Sequence, residues 1–304
     1  MHFYSKKFEN ANQSIVNREK SRTFALIVSK NNKEMTKAKK ILYITQEMVP
    51  FVPETDMAQM GRYLPQATQE KSREIRSFMP KWGIINERRN QLQEVIRLSG
   101  INIVVDDTDH PLVIKVASIT AARMQIYFID NDDFFSRKAV LTDEEGKEFA
   151  DNDARMVFYA RGVFETVKKL QWKPSVVHCH GWFSAIAPIY LRNMFKDDPL
   201  FCDAKIVVAL YEEQFVNPLD KALGERLVGE GAPEDTIEKL GTPSYENLMR
   251  FVIENVDGVV VGSDKANREL VDYARQCGKQ VLDYQSPEED DFYDNYDRFY
   301  EGLF

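Results

Sequence analysis

Short apolar runs alternate with amphipathic stretches along this chain, and that alternation leaves few folds open. Residues 41–45, 175–178, 205–210 and 258–262 are brief, mostly β-branched apolar segments. Strands so uniformly apolar are buried on both faces, as in parallel sheets. Between them lie helical patterns at 56–71, 152–170, 182–195, 245–255 and 265–276. Within 152–170, Met156, Val157, Ala160, Val163, Phe164 and Val167 fall on one stripe. Parallel neighbours need a crossover connection, and a helix supplies it. The expected fold is therefore α/β: a Rossmann-like, doubly wound, mainly parallel sheet with helices on both faces. One stretch breaks the alternation. Residues 101–105, 112–118 and 124–129 read as consecutive short strands, a β-rich insertion.

The chain divides by composition into three parts. Residues 1–34 are polar and weakly periodic and read as an appended, disordered segment, with Met35 a natural start. Residues 35–285 hold the alternating pattern. Residues 286–304 carry seven Asp/Glu and one Arg among their aromatics and read as a solvated acidic, tyrosine-rich tail. The net charge of −8 is carried by an acidic body, which argues against nucleic acid as a partner. No run of about 18 apolar residues is present, so no membrane span is expected. The three cysteines, Cys179, Cys202 and Cys277, are odd in number and widely spaced. That spacing suggests neither a disulfide framework nor a metal site, and reduced thiols fit a cytoplasmic protein. No Gly-x-Gly-x-x-Gly or Walker sequence points to a bound nucleotide cofactor, and no cofactor is expected.

A set of ordered motifs resembles the N-terminal half of the bacterial glycogen and starch synthases of the ADP-glucose type. Glu47, Pro50 and Phe51 follow the first strand, and Leu64-Pro65 follows in the next helix. Pro80-Lys81-Trp82 and the segment 134–137 come next, then Asp151, Asn152 and Arg155. Trp172, Pro174, His178, His180 and Trp182 form the densest match, followed by Ala187-Pro188 and Tyr190-Leu191. The resemblance implies the N-terminal domain of a two-domain GT-B glycosyltransferase. It also implies glucosyl transfer from ADP-glucose to an α-1,4-glucan, with retention and without a metal.

The departures from that pattern fall on the chemistry. Pro53 stands where the family has a lysine near the donor, and Thr55 and Asp56 stand where it has paired glycines. Gly181 replaces an aspartate, and Tyr211 replaces a histidine after a buried strand. The nucleotide-sugar half does not follow before Phe304. The chain alone is thus expected to be inactive, unless a partner polypeptide completes the site for ADP-glucose. The alternative is a glucan-binding or regulatory protein whose open cleft is covered by a protein partner or a second copy.

Among site residues, His180 is the candidate catalytic group, because ligands bind at the carboxyl ends of strands in open α/β sheets. A buried, hydrogen-bonded histidine is the competing reading. By period two, His178 lies on the same face. Glu47, Asp151, Asn152, His178 and Trp182 are the candidate substrate contacts. Each has a structural alternative: Glu47 fixing the loop that follows it, Asp151 and Asn152 opening a helix, Trp182 packing in the core. Arg155 sits one turn from Asp151 and can pair with it. Asp106, Asp107, Asp109, Asp130, Asp132 and Asp133 read as solvated turns, and no metal is expected.

Overall fold

The first apolar run forms β1 (Lys40–Thr45), whose Ile41, Leu42, Tyr43 and Ile44 are all but completely buried. A strand apolar on both faces belongs at the centre of a sheet, and β1 is there. In the computed structural model, which describes residues 39–304, it pairs in parallel with β2 (Glu74–Pro80) on one side and β7 (Val176–His180) on the other. The remaining strands are β3 (Gln93–Glu94), β4 (Ile101–Val105), β5 (Thr108–Ile119), β6 (Met124–Asp130), β8 (Lys205–Leu210), β9 (Gly258–Val261) and β10 (Gln280–Leu282). Their order is β10-β9-β8-β7-β1-β2-β6-β5-β3, with β4 paired to β5. The parallel, doubly wound expectation holds. The β-rich insertion is an antiparallel extension on one edge, built on β5 and β6. Asp106 and Asp107, both at positive φ, turn the β4–β5 hairpin.

Successive connections leave β1 in opposite directions, first to β2 and later to β7. In such sheets the crevice for ligands opens beyond the carboxyl ends of the two strands that flank this switch. Two segments therefore meet there, the loop after Thr45 and the loop after His180.

The helix after β1, α1 (Asp56–Glu70), starts where the sequence predicts, with Thr55 as N-cap accepting from the Ala58 N–H at 3.0 Å. Gly61 lets this helix press on the backbone, since a Cβ there would lie 2.4 Å from the Glu47 carbonyl oxygen. After the short α2 (Asp132–Phe135) comes α3 (Asn152–Lys169), the 18-residue helix whose apolar stripe was legible.

Three expectations need correction. The pattern at 182–195 is not one kinked helix. It is a 3₁₀ turn (Trp182–Ser184) and then α4 (Ala187–Arg192), with Pro188 in the first turn, where a missing N–H costs nothing. Two short helices, α5 (Leu223–Gly229) and α6 (Thr236–Leu240), lie before α7 (Tyr245–Glu254) and α8 (Arg268–Gln276). Asp130 is not a solvated turn residue: it is buried, and its carboxylate meets Lys115 at 2.8 Å. The end of the chain is not a solvated tail. Residues Phe292–Gly302 form α9, with Phe292, Tyr296, Phe299, Tyr300 and Leu303 buried. Their spacing puts them on one face, and Arg73 holds the polar side through Asp297 (2.6 Å) and Glu301 (2.8 Å). Lys71 pairs with Asp294 beside it. The appended segment 1–34 lies outside the described residues.

Candidate functional site

The crevice at the switch point is occupied by the chain's own groups. Gln46, buried just past β1, donates its backbone N–H to the His180 carbonyl at 3.1 Å. Its side-chain Oε1 accepts from the Phe183 N–H at 3.1 Å, and its carbonyl accepts from the Trp82 indole at 2.8 Å. The Tyr159 hydroxyl, reaching in from α3, donates to the Thr45 and Phe78 carbonyls, each at 2.9 Å. One buried amide thus joins the ends of β1 and β7, while the Nε2 atoms of His178 and His180 stay buried with no hydrogen-bond partner among the described residues. The sequence reading passed over Gln46. Its position directly after a buried central strand was the signal.

Gly181 belongs to the same closure. Its φ of +80° and ψ of 157° lie where only glycine is at ease. An added Cβ would lie 2.6 Å from the Met57 sulfur and 2.8 Å from the Gln46 Oε1. Replacing Gly181 with aspartate should therefore destabilise the chain by about 1–3 kcal/mol through overpacking and backbone strain. Urea denaturation of Gly181→Asp against the parent measures this, and an unchanged midpoint would contradict the packing described here.

His178 and His180 do share one face, with ring centroids 4.1 Å apart, and both are buried. His180 Nδ1 meets the Tyr211 hydroxyl at 2.7 Å, and His178 Nδ1 meets the Tyr300 hydroxyl of α9, also at 2.7 Å. The Tyr211 ring packs over Gly262, where a Cβ would come within 2.6 Å of it. Tyr300 reaches on to the Tyr43 hydroxyl at 3.3 Å, and Tyr43 to the Thr68 hydroxyl at 2.8 Å. Burial drives the His180 pKa down to about 3, and burial with the neighbouring His180 drives that of His178 well below the usual range. Both rings are neutral at pH 7 and shut away from solvent. Trp182 is likewise in the core, edge-on to Phe215 at 4.8 Å.

Carboxylates gather on the surface of the same edge. Glu47 accepts the Thr55 hydroxyl at 2.6 Å, so it fixes the loop that leads into α1. Asp56 occupies the first turn of that helix and lies 3.5 Å from the Ser263 hydroxyl. Glu213, half-buried, has its pKa pushed up by burial and then by Glu47, Asp56 and Glu212. Lys265 is held by Glu212 at 3.3 Å.

The Asp151 region is a separate structure. Asp151 makes no side-chain cap to α3; it takes a two-point ion pair from Arg137, one arm at 2.8 Å. Burial would raise the Asp151 pKa, but that guanidinium holds it below the ordinary carboxylate range. Arg155 does not pair with Asp151 through its side chain. It is fully buried, donating to the Asn152 side chain at 2.7 Å and the Phe134 carbonyl at 2.9 Å, with the Trp82 ring centre 5.0 Å away. Burial lowers its pKa to about 10. Asn152, also buried, donates to the Leu141 carbonyl at 3.0 Å. These residues brace the loop 134–152 rather than line the switch-point crevice.

The comparisons with known proteins agree with this architecture. Residues 40–282 match the family model described as the starch synthase catalytic domain. A glycogen synthase from Chlorobium luteolum is 31% identical over 248 residues, which cover 80% of this chain and 50% of that one. A glycogen synthase from Chlorobaculum tepidum is 32% identical over 236 residues, covering 77% and 47% respectively. The chain spans about half the length of these relatives. The solved catalytic domain of Starch Synthase IV from Arabidopsis thaliana, bound to ADP and acarbose, superposes with a TM-score of 0.64 at 16% identity. The overlap covers 82% of this chain and 52% of that one, and it places the fold in the GT-B class. The family match and the parallel sheet with its switch point agree: the chain belongs to the starch synthase catalytic domain family.

Proposed function

We propose that this chain is a glycogen-synthase-type half that has lost its hold on the donor diphosphate. On this reading it does not by itself transfer glucose from ADP-glucose, but it still meets an α-glucan. The start of α1 carries the argument. A helix N-terminus presents free N–H groups and a partial positive charge, a natural seat for phosphate. Here Thr55 accepts one of those N–H groups, Asp56 puts a carboxylate in the first turn, and Glu47 is bonded to the Thr55 hydroxyl. Pro53 in the preceding loop offers neither charge nor N–H. A phosphate charge 4 Å from one such carboxylate is repelled by about 1 kcal/mol in water and by about 4 kcal/mol at an effective dielectric of 20. Transfer also needs the charge of the departing diphosphate stabilised, and these groups act in the opposite sense. His180 has no exposed nitrogen with which to take part. Activity would require cations that these residues do not supply.

The test is glucosyl transfer from radiolabelled ADP-glucose to maltoheptaose by the intact chain. No incorporation above the protein-free blank is expected, and sustained turnover would overturn the reading.

A further inference from the structure

The two ends of the sheet carry opposite charge. At one end, the turn before β3 holds Arg88 and Arg89, and Arg97 follows the strand. All three are exposed, and none of their guanidinium groups makes an ion pair or hydrogen bond among the described residues. Glu87 beside them is already taken by Lys81 (2.9 Å) and Lys115 (2.8 Å), which leaves Glu94 as the open carboxylate. Ile96, next to Arg97, is 75% exposed. At the other end, the segment after β10 holds Glu288, Glu289, Asp290 and Asp291, all exposed. Arg298 lies 3.8 Å from Asp291, and the other three have no ion pair among the described residues. Tyr284 and Pro287, both exposed, supply apolar surface there. We infer that the arginine edge of one copy seats the acidic corner of a second copy, so that chains join end to end.

Charge and topology select that occupant. Strands β10 and β3 stand at opposite ends of the strand order, so one chain cannot pair its own patches. A contact between two different patches is heterologous, and it builds a ring or an open filament rather than a two-fold dimer. A polyanion such as nucleic acid would meet the acidic body, with its net charge of −8, along with the three arginines. The acidic corner of another copy brings four carboxylates to the arginines and sets Tyr284 and Pro287 against Ile96. Arginine and tyrosine are side chains that interfaces favour, with apolar area at the centre and charge at the rim. Exposed ion pairs are weak singly and screened by salt, so the assembly forms at low ionic strength and comes apart at high.

Sedimentation equilibrium of the intact chain tests it at ionic strengths of about 0.01 M and about 1 M, where the Debye length is about 30 Å and about 3 Å. At low salt the average mass should climb past that of two chains as concentration rises, and at high salt it should fall to that of one. The triple variants Arg88→Glu, Arg89→Glu, Arg97→Glu and Glu288→Lys, Glu289→Lys, Asp290→Lys should each stay monomeric at low salt. All six side chains are exposed, so both variants should fold, which circular dichroism checks. An equimolar mixture of the two should associate again, because each variant presents the charge that the other lacks. A parent that stays monomeric at low salt would overturn the inference. So would association that both variants retain, or a mixture of the two that stays monomeric.

Discussion

A chain shortened to end at Pro287 should lose its cooperative unfolding transition. The shortening removes α9 and with it the buried side chains of Phe292, Tyr296, Phe299, Tyr300 and Leu303. Truncating one buried aromatic costs about 3–5 kcal/mol, while whole domains are stable by only about 5–15 kcal/mol. The loss also uncovers Tyr43 and His178, buried polar groups that now bond to Tyr300. The single change Tyr300→Phe isolates that last contribution. It keeps the ring but leaves two buried partners short of a bond, and should cost about 1–3 kcal/mol. Thermal melts followed by near-ultraviolet circular dichroism measure both. A shortened chain that melts cooperatively near the parent temperature would show that α9 is an accessory rather than part of the core.

Acid should destabilise the protein well above the pH at which carboxylates titrate, because of the paired histidines. Burial depresses the His180 pKa from 6.5 to about 3 and that of His178 well below 6.5. Above pH 6.5 both rings are neutral whether the chain is folded or not, so their contribution is fully present. Below it the unfolded chain takes up protons that the folded chain refuses. Stability then falls with falling pH, by about 1.4 kcal/mol per pH unit for each histidine. For His180 the fall is complete only near pH 3. Urea midpoints at pH 7, 6 and 5 for the parent and for His180→Gln separate this from other groups. The variant should show a clearly shallower loss, and parallel slopes would mean that His180 is protonated while folded.

Much of the architecture was legible because it rests on local periodicity. The central strands are apolar on both faces, Thr55 marks the start of α1, and period two places His178 beside His180. What was missed depends on partners far apart in sequence. The Arg137–Asp151 ion pair and the Arg155 bond to Phe134 turn a helix-opening motif into a loop brace. Gln46 closes the switch point through Phe183, 137 positions away. The stripe in α9 was present at 292, 296, 299, 300 and 303, but the acidic residues around it made the segment read as solvated. The sequence left two readings for His180, and its bond to Tyr211 shows it buried. The substitution of Tyr211 and the glycine at 262 are complementary, since the ring needs the space that the missing Cβ leaves.

The most direct test of the account is a calorimetric titration of the intact chain with ADP at low ionic strength, repeated with the double variant Glu47→Gln, Asp56→Asn. Low salt leaves charge repulsion unscreened and so gives it most weight. The account predicts no saturable binding by the parent and stronger binding by the double variant. Tight, saturable ADP binding by the parent, unchanged when the two carboxylates are neutralised, would contradict it.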